Sequence, residues 1–182
     1  MMTFLSGGAK NGKSMYAQRI AKEVASREDL PLYYVATMIP ADEEDQARIA
    51  RHVADRDGWG FITVEQPVQL ATVLDRVSPQ AVFLVDSVTA LLSNEMFPRG
   101  GDVDLEAGER LRRELSQFCQ RAAYGVFVSD YIYSDAMLYD PMTEAYRKEL
   151  AACDRFLAQR CERVCEVACG ILTDWKRGEV AV

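Results

Sequence analysis

Eight residues near the N-terminus, Gly7-Gly8-Ala9-Lys10-Asn11-Gly12-Lys13-Ser14, fit the phosphate-binding loop G-x-x-x-x-G-K-[ST]. A short apolar run, Met2 to Leu5, precedes them and reads as a strand. Met15 to Val24 follows and reads as a helix. Strand, glycine-rich loop and helix in that order are the setting this motif requires. A loop that wraps polyphosphate needs backbone N–H groups turned inward, and glycine permits that path. The helix N-terminus adds positive potential. Lys13 then meets the β- and γ-phosphates, and Ser14 offers a hydroxyl to Mg²⁺. The alternative is a glycine turn followed by a chance Gly-Lys-Ser.

The rest of the chain alternates in the same way. Leu32 to Ala36 reads as a buried strand ending in Thr37-Met38. Asp42 is a candidate N-cap for a helix from about Glu43 to Ala54. Phe61 to Val64 is a short strand closed by Glu65, and Pro67 suits the first turn of a helix through Val77. Ala81 to Val85 is an unbroken apolar run ending in Asp86, as expected of a strand covered on both faces. A helix is expected over Ser87 to Phe97, then a loop at Pro98-Arg99-Gly100-Gly101. Leu105, Leu111, Leu115 and Phe118 mark an amphipathic helix. Gly125 to Asp130 reads as a strand, Thr143 to Arg163 as a helix, and Val164 to Leu172 as a last strand before a polar tail. Tyr131 to Asp140 fits no template. The alternation predicts an α/β fold, a mostly parallel sheet with helices on both faces, in a single domain spanning 1–182. Its site should lie at the carboxyl ends of the strands, gathering Gly7–Ser14, Thr37, Asp86 and Ser129-Asp130.

Composition narrows the partners. The net charge is −7, so a nucleic-acid partner is not expected, whereas a single nucleotide in a local site is compatible. No apolar run is long enough to span a bilayer. The N-terminus enters the first strand without a signal-peptide pattern, and the five cysteines are odd in number. These features predict a reducing, cytoplasmic setting with free thiols. Cys161, Cys165 and Cys169 recur every four residues, which is not a zinc spacing, and they read as core thiols.

Further positions carry chemistry. Asp86 can hold Mg²⁺ beside Ser14, or cap the helix after it. His52, the sole histidine, follows Arg48 by four residues and Arg51 by one. Arg48 and His52 therefore share a helix face and can meet one polyphosphate, with imidazole as nucleophile. Glu65 can bind ribose or guanine, or be a solvated strand end. Tyr131, Tyr133 and Tyr139 can wall a pocket or simply pack.

The loop, Tyr34-Val35-Ala36-Thr37, Asp42-Glu43-Glu44, Ala47-Arg48-Ile49-Ala50-Arg51-His52, Trp59 through Glu65, and Val85-Asp86-Ser87-Val88-Thr89 with Asn94 together resemble the bifunctional adenosylcobinamide kinase/adenosylcobinamide-phosphate guanylyltransferase family. The resemblance implies a RecA-like P-loop domain, often a homo-oligomer, with Mg²⁺, GTP and ATP as ligands. It implies phosphorylation of adenosylcobinamide, then transfer of GMP from GTP to adenosylcobinamide phosphate through a GMP–histidine intermediate on His52. The nucleotide contacts it implies are Gly7 to Ser14, Ala36, Thr37, Met38, Arg48, Arg51, Val53, Glu65 and Asp86. This chain departs from the family's Ser/Thr-Asn-Glu-Val-Gly run, carrying Ser129-Asp130-Tyr131-Ile132-Tyr133 instead. A P-loop kinase of another small alcohol and a non-catalytic GTP/ATP-binding regulator are the rival readings.

Overall fold

The computed structural model describes residues 1–40, 42–43, 46–47, 50, 53–54 and 56–178. Seven strands form one sheet: β1 (Met2–Gly7), β2 (Leu32–Ala36), β3 (Phe61–Glu65), β4 (Val82–Asp86), β5 (Tyr124–Asp130), β6 (Arg163–Ala168) and β7 (Ile171–Arg177). Their spatial order is β3-β2-β4-β5-β1-β6-β7. Every neighbouring pair is parallel except β6 and β7.

Helices cover both faces. On one face lies α1 (Lys13–Glu28), which sets Ala17, Ile20, Ala21 and Val24 against Leu5, Leu84 and Val128. On the other lie α2 (Val73–Arg76), α3 (Val88–Met96), α4 (Ala107–Arg121) and α5 (Pro141–Arg160). Leu111, Leu115 and Phe118 of α4 and Leu150, Cys153 and Leu157 of α5 pack there on Phe4, Phe83 and Phe127. The β4 run explains itself: Val82 and Leu84 enter one core, Phe83 and Val85 the other, and all four are fully buried. A strand alternates its side chains, so only a sheet covered twice needs four apolar residues in succession. Phe118 sits edge-on to Phe83 at 5.3 Å and to Phe127 at 5.8 Å, joining α4 to the central strands.

Several expectations need correction. Pro67 does not open a helix. The Gln66 amide donates to the carbonyls of Val68 and Gln69, Gln69 takes a left-handed conformation (φ 54°), and a 3-10 turn begins only at Leu70. Leu105 is 62% exposed, because the Asp104 carboxylate accepts the Glu106 N–H and delays α4 to Ala107. The final strand is a hairpin. Cys169 and Gly170, both at positive φ, turn the chain back, and the supposed polar tail is β7. An edge strand with one open side tolerates polar residues, so its composition hides it. Cys161 and Cys165 are buried, but Cys169 is exposed at this turn. Among the described residues, no helix is long and apolar enough to cross a membrane.

Candidate active site

The parallel register aligns the strand ends. Glu65, Ala36 and Asp86 stand side by side on β3, β2 and β4. Gly7 pairs with Asp130 across β1 and β5. Neighbouring strands are about 4.8 Å apart, so these ends form one ledge.

The phosphate loop leaves β1 at Gly7 and enters α1 at Lys13. Gly12 takes φ 84° as the helix N-cap, a conformation that glycine adopts without strain. A Cβ on Gly7 would run into the Val167 carbonyl, so only glycine fits beneath the loop. Asn11 donates to the same carbonyl at 3.2 Å and ties the loop to β6. Ala9 and Lys10 are exposed at the crest, while Ser14 is half-buried. Lys13 is 5% exposed and folds back, donating to the Gly8 carbonyl and to Asp130 Oδ1, each at 2.6 Å. Lys13 and Asp130 thus form a part-buried ion pair beside the loop. A polyphosphate at the loop would compete with Asp130 for the ammonium.

Asp86 Oδ2 accepts from the Tyr34 hydroxyl at 3.1 Å. The Arg56 guanidinium covers the Tyr34 ring at 3.5 Å. Arg56 is 6% exposed, and its Nη1 has no hydrogen-bond partner among the described residues. A buried guanidinium N–H without an acceptor is costly, so this atom favours an anionic or carbonyl ligand. Ser87, not Asp86, caps α3: its hydroxyl accepts the Ala90 N–H. Thr37 is fully buried, and its hydroxyl donates to the Ser87 carbonyl while accepting the Ser87 N–H. Asn94 donates to the carbonyls of Thr37 and Pro67 and fastens the ends of β2 and β3 to α3.

A cavity of 910 Å³ opens over this ledge. Its walls include Glu65, Asp86, Ser87, Arg56, Asp130 and Tyr146. Ala36 at the end of β2 and Met38 just after it line it, with Gln46, Ala50 and Val53 from the segment that follows. Glu43, Gln46, Ala47, Ala50, Val53 and Ala54 are helical, as expected for that segment. The expected site residues Arg48, Arg51 and His52 lie outside the described residues. The cavity thus brings together Ala36, Met38, Val53, Glu65 and Asp86 of the expected set. Thr37 spends its side chain on the β4–α3 junction instead. Tyr131, Tyr133 and Tyr139 do not line this cavity. Tyr133 donates to Asp154, and Tyr139 lies under the Arg147 guanidinium.

Sequence reasoning misses Arg56, whereas it places Asp130 at the strand-end site without giving it a role. Arg56 lies 22 residues from the tyrosine it covers, and no local pattern links them. Asp130 ends a buried apolar strand as Asp86 does, which is the one signal that marks it.

Mg²⁺ fits this donor set. It binds through one or two carboxylates completed by phosphate oxygens and water, and the site offers the Asp86 carboxylate and the Ser14 hydroxyl. Among the described residues, no group of three or more His, Cys, Asp or Glu side chains is placed to hold a metal ion.

Behind the ledge, Asp154 of α5 is 3% exposed. Burial pushes its carboxyl up to about 6; the Ser129 and Tyr133 hydroxyls act the other way, and the Asp130 charge adds to the rise. A carboxyl raised in the folded state favours folding while protonated. That contribution is complete below its unfolded value near 4 and is lost as pH rises through 6. Between pH 4.5 and 7.5 the protein should therefore lose about 2 kcal/mol relative to Asp154→Asn. Urea denaturation of both proteins at the two pH values checks this, and parallel pH dependences would refute it.

A model of the CobU family, described as cobinamide kinase / cobinamide phosphate guanyltransferase, matches residues 3–174. The chain belongs to this family. It is 31% identical over 175 residues to the bifunctional adenosylcobalamin biosynthesis protein CobP of Pseudomonas aeruginosa, covering 94% of this chain and 95% of that one. It is 33% identical over 106 residues to CobU of Escherichia coli, 57% of this chain and 55% of that one. Among solved structures, a KaiC-like protein from Pyrococcus horikoshii superposes with a TM-score of 0.56 at 12% identity, over 99% of this chain and 80% of that one. That likeness carries the fold alone. The fold is α/β of the P-loop NTPase type, RecA-like, as the family resemblance implies. Bifunctional cobinamide kinase and guanyltransferase activity in cobalamin biosynthesis is what the family's description and its curated members' names carry.

Proposed function

We propose that this chain, as a single domain, phosphorylates the aminopropanol hydroxyl of adenosylcobinamide and then transfers GMP from GTP to the resulting phosphate. One observation carries the reading. A single cavity runs from Asp130, the partner of the phosphate-loop lysine, past Asp86 and Arg56 to Glu65 and Val53, and Val53 is the residue next to His52 in the chain.

In the kinase step the loop amides and Lys13 hold the β- and γ-phosphates and stabilise charge on the transferring group. Ser14 and Asp86 are the residues that hold Mg²⁺, which supplies charge neutralisation on the phosphate oxygens when bound. Either ATP or GTP serves as donor. In the guanylyl step the His52 imidazole attacks the α-phosphorus of GTP, the bond to the bridging oxygen breaks, and pyrophosphate leaves. A phosphate oxygen of adenosylcobinamide phosphate then displaces the imidazole and gives adenosylcobinamide-GDP. Arg48 and Arg51 offset charge on the phosphates and, as cations beside His52, favour its neutral form. Arg56, whose Nη1 has no partner among the described residues, donates to the nucleotide, and Glu65 binds guanine or ribose. The enzyme works in the cytoplasm, with no nucleic-acid partner, as a homo-oligomer.

The test is product analysis by liquid chromatography and mass spectrometry after incubation with adenosylcobinamide, Mg²⁺ and ATP or GTP. Phosphorylated corrinoid followed by its GDP derivative supports the proposal. Phosphorylated alcohol with no GMP-bearing product would leave a plain kinase. Bound nucleotide with no turnover would leave a regulator.

A further inference from the structure

We propose that Asp130 is the general base of the kinase step, taking the proton of the acceptor hydroxyl as it attacks the γ-phosphorus. The inference rests on the function proposed above and assigns a residue that reading leaves idle.

Three observations locate the carboxylate. Asp130 Oδ1 is 2.6 Å from Lys13 Nζ, the group that meets the γ-phosphate, so a phosphoryl group held by Lys13 lies within reach of Asp130. Asp130 also lines the 910 Å³ cavity from which an acceptor must approach. Its backbone is fixed there: the Asp130 N–H donates to Thr89 Oγ1 at 2.9 Å, and the Tyr131 N–H donates to the Gly7 carbonyl at 3.2 Å. Asp130 is thus a carboxylate whose position is set by the β5 end and α3, with its head free to face the reacting oxygen once Lys13 turns to phosphate. Among the described residues, the other ionisable groups around it are Lys13 of α1, Asp86 of β4, and Tyr146 and Asp154 of α5. Lys13 is a cation in use on phosphate, Asp86 is assigned to the metal, Tyr146 spends its hydroxyl on the Thr89 carbonyl, and Asp154 is sealed from the cavity. Among the described residues, Asp130 is the remaining carboxylate at the phosphoryl end.

The step balances. The acceptor oxygen forms a bond to the γ-phosphorus, and its proton passes to Asp130. The bond from the γ-phosphorus to the β,γ-bridging oxygen breaks, and the nucleoside diphosphate leaves with the electron pair. Asp130 then returns its proton to water.

The two reactions differ in one respect that makes the role testable. The kinase acceptor is an alcohol and has a proton to lose. The guanylyl acceptor is a phosphate, already an anion, and needs no base. Asp130→Asn keeps the shape and removes the base. Turnover of adenosylcobinamide to its phosphate should fall on the order of 10²–10⁴-fold in kcat, with nucleotide Kd no weaker. GMP transfer to supplied adenosylcobinamide phosphate should stay within a few-fold of the parent, which also shows that the variant folds. Asp130→Ala should regain kinase turnover with added formate, since a small carboxylate replaces a missing base. Parent-like kinase turnover in Asp130→Asn would overturn the role while leaving the proposed function intact. Loss of both steps would make Asp130 structural or a metal ligand and overturn it too. A parent that phosphorylates no corrinoid would overturn the function and this role together.

Discussion

Replacing His52 with alanine should abolish covalent capture of GMP and reduce guanylyl transfer on the order of 10⁴–10⁶-fold, the scale on which enzymes lose turnover with their nucleophile. Phosphorylation of adenosylcobinamide should persist within a few-fold, because the phosphate loop does that work. The reason is chemical. A neutral imidazole attacks phosphorus readily, and the phosphorus–nitrogen bond it forms remains reactive enough for a second displacement. Alanine offers no lone pair, and nothing else in the Arg48–Arg51 segment can form such a bond. Intact-protein mass spectrometry after incubation with GTP and Mg²⁺ reads the outcome directly. The parent should carry an acid-labile GMP adduct and the variant none. An undiminished adduct on His52→Ala would remove this residue from the mechanism.

Lys13→Met should strike the other half. It keeps an unbranched apolar stem in the buried position against Gly7 while deleting the ammonium. Phosphoryl transfer should fall on the order of 10³-fold, as expected when one preorganised donor to the transferring group is lost. The loss should appear chiefly in kcat, since charge on the phosphoryl oxygens changes most in the transition state. Steady-state kinetics with adenosylcobinamide and ATP tests this. An unaltered kcat would mean that the loop binds phosphate without catalysing its transfer.

The two variants differ in how far structure informs them. For Lys13 both sequence and geometry speak: the motif names the residue, and the fold brings it to 2.6 Å from Asp130. His52 is set by sequence and chemistry, and Val53, the next residue in the chain, lines the cavity.

Much of the fold is readable without coordinates because its signals are local. The β4 run can only be a strand buried on both faces, and α1 repeats its apolar residues at helical spacing over Ala17, Ile20, Ala21 and Val24. Where local signals are absent, the reading fails. β7 carries Asp174, Lys176 and Arg177 on an edge that needs no apolar surface, so it resembles a tail. Leu105 looks like the first apolar position of α4, but the Asp104 side chain decides where the helix starts.

The sequence by itself determined the phosphate loop, the alternation of strands and helices, and the chemistry available at Lys13, Ser14, His52, Glu65 and Asp86. These follow from residue type and spacing along a few turns or one strand. Only the tertiary structure decided which strand ends stand together. Strand order is set by how two cores pack across a twisted sheet, and spacing along the chain does not encode it. That packing brings Asp130 to Lys13 across 117 residues and lays Arg56 over Tyr34 beside Asp86. The cavity lined by Asp130, Arg56, Tyr34 and Asp86 exists because the β3, β2, β4 and β5 ends converge there, a consequence of register between segments far apart in the chain.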